Sequence, residues 1–215
     1  MATSPGVSFV VPVYNKAPYL KDVLAAIRDQ VGDFEREYIF IDDGSTDGSI
    51  ELIQELTLNW ANVIIHRQEN HGSAHATNQG IARASMSFVK FVDADDLLGV
   101  HAQGMLLEAL RGNEKACLAY GAEIHYQPGE PLPDLTAVTQ PGECRVISEP
   151  LWPALRNSMF NPTQFLARTD ALRRAGGCDE RIVHSQEYSL TLRLARLGDF
   201  ISIAAPVAYR PATVP

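Results

Sequence analysis

The stretch Phe88-Val89-Lys90-Phe91-Val92-Asp93-Ala94-Asp95-Asp96 carries a strand-like apolar run straight into three carboxylates within four positions. A buried strand that ends in clustered carboxylates is costly unless a counter-charge offsets their repulsion. A divalent cation is the usual answer, since Mg²⁺ and Mn²⁺ prefer hard oxygen ligands and are commonly held by one or two carboxylates plus substrate phosphates. In extended backbone alternate residues share a face, so Asp93 and Asp95 can point toward one site while Asp96 need not. Taken alone, the same residues also read as a strand end followed by a helix cap at Asp96. Lys90 is expected to be solvated, opposite its apolar neighbours.

The elements that must position these carboxylates alternate in type. Residues 7–13 and 38–41 are short apolar, β-branched runs that read as buried parallel strands. Residues 62–66 and 88–92 read as two more strands. Helical spacing marks residues 17–30, with Leu20, Val23, Leu24 and Ile27, and residues 50–56, and a third helix is expected over about 74–84. Strand and helix alternating over the first hundred residues predicts an α/β fold with a mostly parallel central sheet flanked by helices. Beyond it, helices are expected at 100–111, 170–175 and 185–197, and strands at 116–125, 163–168 and 201–203. Residues 126–147 hold Pro128, Pro131, Pro133 and Pro141 and read as a long irregular loop, mobile without ligand and bearing on an acceptor. The tail from Pro206 is expected to fray. Trp60 and Trp152 are read as packing residues, Trp152 with the alternative of stacking on a sugar.

In open α/β sheets ligands bind beyond the carboxyl ends of the strands. The first strand delivers Tyr14 and Asn15 there, the second Asp42 and Asp43, the fourth Asp93, Asp95 and Asp96, and the third leads to Gly72 at a helix start. A carboxylate can accept from a base or a ribose hydroxyl, a metal neutralises a diphosphate, and glycine lets backbone approach closely. This mixture suits a nucleotide diphosphate, although Asp43-Gly44-Ser45 in isolation reads first as a capped turn.

Composition narrows the class. The chain has 215 residues, a formal net charge of −8 and 46% hydrophobic residues. The charge argues against nucleic acid or an anionic membrane recognised by bulk electrostatics. Cys117, Cys144 and Cys178 match no disulfide or metal spacing and read as reduced thiols, and the expected setting is cytoplasmic. No transmembrane segment or signal-like leader is expected. Self-association into a homo-oligomer is left open by the sequence.

Four motifs in order resemble the family 2 glycosyltransferases, of the GT-A fold. They are Val10-Val11-Pro12-Val13-Tyr14-Asn15, Ile41-Asp42-Asp43-Gly44-Ser45-Thr46-Asp47-Gly48, Asn70-His71-Gly72 with Asn78-Gln79-Gly80-Ile81, and Phe91-Val92-Asp93-Ala94-Asp95-Asp96. A weaker resemblance continues in Gly176-Gly177-Cys178-Asp179-Glu180 and in Gln186-Glu187 before Leu190-Thr191-Leu192-Arg193-Leu194. The resemblance implies metal-dependent transfer of a sugar from a nucleotide-diphosphate donor, usually UDP-linked, with inversion, onto a saccharide or lipid-linked acceptor of cell-surface polysaccharide type. It implies donor binding by Pro12, Val13, Tyr14, Asn15, Asp43, Gly72, Asn78, Asp93 and Ala94, Mn²⁺ or Mg²⁺ on Asp95, and Glu187 as general base. Residues 1–98 would be the donor half and 99–215 the acceptor half of a single GT-A-like domain.

The sequence departs from the family in three places. Glu187 stands where Asp is usual, Gln186 where Glu is usual, and Thr77 where Arg commonly precedes Asn78. The processive Gln-x-x-Arg-Trp signature is absent, which argues against a polymerase. A sugar nucleotidyltransferase would want a basic Gly-rich N-terminal loop, for which only Lys16 is at hand. A non-catalytic nucleotide-sugar-binding domain is the other alternative. His71 and His75, at i and i+4, could ligate a metal but are also explained by the donor loop. His184, near Glu187, reads as a loop residue, and His101 as one on a helix surface.

Overall fold

The computed structural model describes residues 4–182 and 185–212. His184, which the sequence singles out beside Glu187, lies outside the described residues. The first half is a parallel sheet built by crossover helices. β1 (Ser4–Val13) leads through α1 (Ala17–Arg28) to β2 (Glu35–Asp42), then α2 (Ser49–Leu56), β3 (Val63–Arg67), α3 (Ser73–Arg83) and β4 (Met86–Phe91). β1 pairs in parallel with β2 and β4, and β2 with β3. The strands read as near-continuous apolar runs because both faces are covered. Leu20, Ile27 and Ile53 pack with Phe9 and Val11 on one face, while Ala76 and Ile81 pack with Val10, Ile41 and Val89 on the other.

Gly80 sets how closely α3 lies on the sheet. A Cβ there would come within 2.1 Å of Val10 Cγ1. Only glycine lets the helix backbone settle against β1 at this distance. Close seating lays α3 along β1 and β2, with its first turns lining the same cleft as the residues that follow β1 and β4.

The second half widens the sheet without simply repeating the crossover. It holds β5 (Leu97–Leu98), α4 (Ala102–Arg111), β6 (Ala116–Tyr126), β7 (Cys144–Ile147), α5 (Leu151–Arg156), a 3-10 turn at Pro162–Gln164, β8 (Phe165–Arg168), α6 (Thr169–Ala175), α7 (Gln186–Leu194) and β9 (Asp199–Pro211). Among the described residues the strand order is β3-β2-β1-β4-β8-β6-β9-β5, with β7 also on β9. β8 runs antiparallel between β4 and β6, whereas β6 and β9 are parallel over a long register. Most of the paired length is parallel, and the whole is a single mixed α/β domain.

Several expectations need correction. The irregular segment 126–147 ends in β7, which pairs with β9, and it is tied to the sheet by Ala205 N donating to Pro141 O and to the turn before α4 by Val100 N donating to Leu135 O. Proline and glycine kept most of it irregular without detaching it. β5 and α5 are likewise additions. The tail does not fray at Pro206: β9 runs to Pro211 with Val207, Ala208 and Tyr209 buried. The strand expected at 201–203 is the inner part of the longer β9, flanked by β6 and β7. Trp60 packs edge-on against Tyr38, but Trp152 is 69% exposed and so is not a packing residue.

Lys90 is the largest departure. It is fully buried, on the face of β4 that carries Phe88 and Val92 into the core. Its ammonium donates to the carbonyls of Thr163 and Phe165. Burial pushes its pKa down to about 7, against the pull of Asp96 and Asp93, which favour the charged form.

Candidate active site

A cleft of about 690 Å³ opens at the carboxyl ends of the parallel strands, where ligands of open α/β sheets bind. β1 and its following turn contribute Pro12, Val13, Tyr14 and Lys16. The end of β2 gives Asp43. The approach to α3 and its first turns give Asn70, Gly72, Ser73, Ala76 and Thr77. The turn after β4 gives Asp93, Ala94 and Asp95, and the far end of β9 gives Arg210.

Asp43 fastens two of these segments together. Its Oδ1 accepts from Gln68 Nε2 at 2.7 Å and His71 N at 2.9 Å, and its Oδ2 accepts from Gly72 N at 2.8 Å. The glycine at 72 has φ +90, and a Cβ there would meet nothing within 4 Å. The requirement is therefore conformational, for the left-handed approach to α3, and not steric. With the helix N-terminus open beyond it, this corner presents backbone N–H groups and a partial positive charge to the cleft.

The acidic turn divides its carboxylates. Asp93 and Asp95 line the cleft, whereas Asp96 is 2% exposed and turned inward. Burial, and then Asp95, pushes the Asp93 carboxyl up to about 6, with Arg210 pulling it down and Glu187 adding to the rise. Burial, and then Asp93, lifts Asp96 to about 8, opposed by the hydroxyl of Thr163 and by Arg210. Asp96 Oδ2 is buried and has no hydrogen-bond partner among the described residues. The backbone of the turn is held by Asp93 N donating to Thr163 Oγ1 at 3.0 Å. Lys16 reaches in from the other side and pairs with Asp95 Oδ2.

Glu187 stands at the start of α7, half-buried. Burial raises its pKa and Arg210 lowers it. Its influence on Asp93 puts it within electrostatic reach of the acidic turn. Arg210 lies between Asp96 and Glu123, with Nε 3.7 Å from Asp96 Oδ1 and Nη1 3.5 Å from Glu123 Oε2. Both contacts are longer than good hydrogen bonds.

Two of the residues expected to bind a donor are employed elsewhere. Asn15 staples the turn after β2: its Oδ1 accepts from Thr46 N at 2.9 Å and its own N–H donates to Ser45 Oγ at 3.0 Å. Asn78 faces away from the cleft and bonds to the loop after α6. The sequence reading missed Arg210 and Thr163, and gave Lys16 no part in this site. Arg210 had one faint signal, the alternation of Val207 and Tyr209 with Ala208 and Arg210, which is strand-like.

Among the described residues no three His, Cys, Asp or Glu side chains form a group that could hold a metal ion by themselves. The donor set nonetheless fits Mn²⁺ or Mg²⁺ shared with a diphosphate, which takes one or two carboxylates from protein and the rest from phosphate and water. The buried Asp96 Oδ2, which has no hydrogen-bond partner among the described residues, and the crowding of Asp93, Asp95 and Asp96 in one turn are consistent with a cation there.

The model of glycosyl transferase family 2 matches residues 8–180. The chain belongs to glycosyl transferase family 2. It is 33% identical over 110 residues to the poly-beta-1,6-N-acetyl-D-glucosamine synthase of Staphylococcus aureus, a match covering 51% of this chain and 26% of that protein. Its fold is similar to that of S. aureus TarS, residues 1–349, in complex with UDP: TM-score 0.77, 18% identity, 97% of this chain and 61% of that one. The mannosyltransferase PcManGT from Pyrobaculum calidifontis, in complex with GDP-Man and Mn²⁺, gives a TM-score of 0.67 at 20% identity over 100% of this chain and 60% of that one. This family 2 chain thus spans about a quarter of the curated relative's length and about 60% of the solved chains. Among its described residues, no helix is long and apolar enough to cross a membrane.

Proposed function

We propose that this chain transfers a sugar, with inversion, from a nucleotide-diphosphate donor to a hydroxyl of a saccharide or lipid-linked acceptor. The observation that carries the reading is the convergence of Asp43, Asp93, Asp95, Lys16 and Arg210 on one cleft beside the start of α3. Residues 1–98 supply most of the donor side and residues 99–215 the acceptor side. The base would lie along Pro12 and Val13 and donate to Asp43, whose Oδ2 accepts one hydrogen bond, from Gly72 N, and keeps a lone pair in hand. The complexes of TarS with UDP and of PcManGT with GDP-Man make a nucleotide diphosphate the expected ligand class, and a uridine donor is the reading we favour.

Asp95, with Asp93 beside it, would hold Mn²⁺ or Mg²⁺, which supplies Lewis-acid stabilisation of the diphosphate leaving group. Lys16 and Arg210 bring two more positive charges to the same wall, and the N–H groups at the start of α3 face it. Glu187 takes the proton from the acceptor hydroxyl as its oxygen bonds to the anomeric carbon and the bond to the diphosphate breaks. Its burial keeps a raised affinity for that proton. The glutamate in place of the family's usual aspartate extends the carboxylate by one methylene, so the acceptor oxygen would sit correspondingly farther from α7.

Release of nucleotide from a panel of nucleotide sugars, with and without Mn²⁺ and an acceptor saccharide, tests the proposal. Slow metal-dependent release that Asp95→Ala abolishes supports it. Tight nucleotide binding with no release from any donor would instead indicate a binding domain.

A further inference from the structure

The family resemblance implies donor binding by Asn78, yet its amide is fully engaged in a different task. Asn78 Oδ1 accepts from Cys178 N at 2.8 Å, while Asn78 Nδ2 donates to Cys178 O at 3.0 Å and to Glu180 Oε1 at 2.8 Å. The other oxygen of Glu180 lies 3.1 Å from His75 Nδ1, one helical turn before Asn78. A Cβ on Gly177 would come within 2.2 Å of Asn78 Oδ1, so the loop and the amide are fitted to each other with no room for a side chain.

The same loop is fastened to α7 on its far side. Asp179 N donates to Ser189 Oγ at 3.0 Å, and Arg193 donates to Gly177 O at 3.2 Å and lies 3.4 Å from Asp179 Oδ2. Residues 177–180 therefore join α3, whose first turn lines the donor cleft, to the helix that begins one residue before Glu187. Thr77 faces the cleft and Asn78, one residue on, faces the loop, as a helical step of about 100° requires.

We propose that Asn78 is a positioning residue for Glu187: through the Gly177–Glu180 loop it fixes the start of α7 relative to the donor side. This rests on the reading of Glu187 as the base. A carboxylate displaced by about 1 Å can cost on the order of 10²-fold in rate, so a clamp of three hydrogen bonds two steps from the base acts on turnover without touching substrate.

Two measurements on the full chain test this. Hydrogen exchange needs no activity: Asn78→Ala should speed exchange of the amides at 185–189 by about tenfold while β1 and β4 stay protected. Unchanged exchange there overturns the proposal. The second is a double-mutant cycle in transfer rate. Asn78→Ala should lower kcat by about tenfold at an unchanged donor KM, and should cost nothing further when Glu187→Gln is already present, because residues acting as a unit are non-additive. Multiplicative losses, or a loss in donor affinity equal to the loss in kcat, overturn it. Asn78→Ser, which keeps a hydroxyl at the position, gives the same comparison should the alanine variant fold poorly. If the parent transfers no sugar, the proposed reaction fails and the exchange measurement still decides whether Asn78 orders α7.

Discussion

The ammonium of Lys16 and a carboxylate oxygen of Asp95 are in direct contact across a sequence separation of 79 residues. Both side chains are about a third exposed, so the pair is partly screened and of modest strength. It sits where a divalent cation would have to approach Asp95. Lys16→Met should therefore tighten Mn²⁺ binding to the nucleotide-free protein by about two- to fivefold, the scale of an exposed ion pair. The same substitution should weaken UDP binding, since a charge facing the diphosphate is lost. A Mn²⁺ titration followed by paramagnetic resonance checks the first part; affinity equal to the parent's would show that the two cations do not compete.

Arg210 reaches the cleft from a strand laid down at the end of the fold. Its two ionic contacts are too long to use up its donors, which leaves them for an anion. Arg210→Ala should weaken UDP binding about tenfold, in line with the loss of one charge-assisted hydrogen bond. Arg210→Lys should recover part of that, because a point charge replaces a planar fork. Calorimetric titration with UDP and Mn²⁺ makes the comparison.

Asp96 makes stability depend on pH when metal is withheld. Its folded pKa, about 8, lies above the ordinary aspartate value. Between those values the native state binds a proton that the unfolded chain does not, so stability falls as pH rises. The stabilising contribution is complete below the unfolded value and lost as pH climbs through 8. In chelator, the melting temperature of the parent relative to Asp96→Asn should drop steadily from about pH 4 to pH 8. A constant difference across that range would mean that Asp96 is ionised throughout.

Glu187 is expected to set the acid limb of the rate profile. Burial raises its pKa, and a base must be ionised to act, so kcat/KM should rise with pH through a value above that of an ordinary glutamate. Glu187→Gln should reduce transfer by roughly 10²-fold or more and remove that limb, leaving UDP affinity intact. Glu187→Asp should retain activity. Parental rates in the glutamine variant would place the base elsewhere.

What the sequence made legible was local. The apolar runs of β1, β2 and β4 and the polar residues following them depend on neighbours in the chain, and strand ends of one parallel sheet must share an edge. Pro12, Asp43, Gly72 and Asp95 could thus be placed together before any contact was known. Lys90, Arg210 and Asn78 could not, and for one reason. Lys90 finds its acceptors, the carbonyls of Thr163 and Phe165, some 75 residues later. Arg210 reaches the cleft through pairing of β9 with β6 and β5, and Asn78 meets a loop 100 residues away. Periodicity reports which face of an element is apolar; it does not report what arrives to cover a polar one.

The position of β8 bears on how this chain can come into being. β8 is a late segment wedged beside one of the earliest strands, bonded to β4 on one side and β6 on the other. A nascent chain emerging from the ribosome can pair β1, β2, β3 and β4, but the open flank of β4 stays unpaired until about residue 168 has emerged. Lys90 meanwhile lacks the two carbonyls that hold its ammonium. The first four strands therefore cannot be finished ahead of the later ones. A gene cut between them would yield a fragment with a bare strand edge and an unhoused lysine, prone to stick to its own copies, whereas the two pieces made together could complete one another.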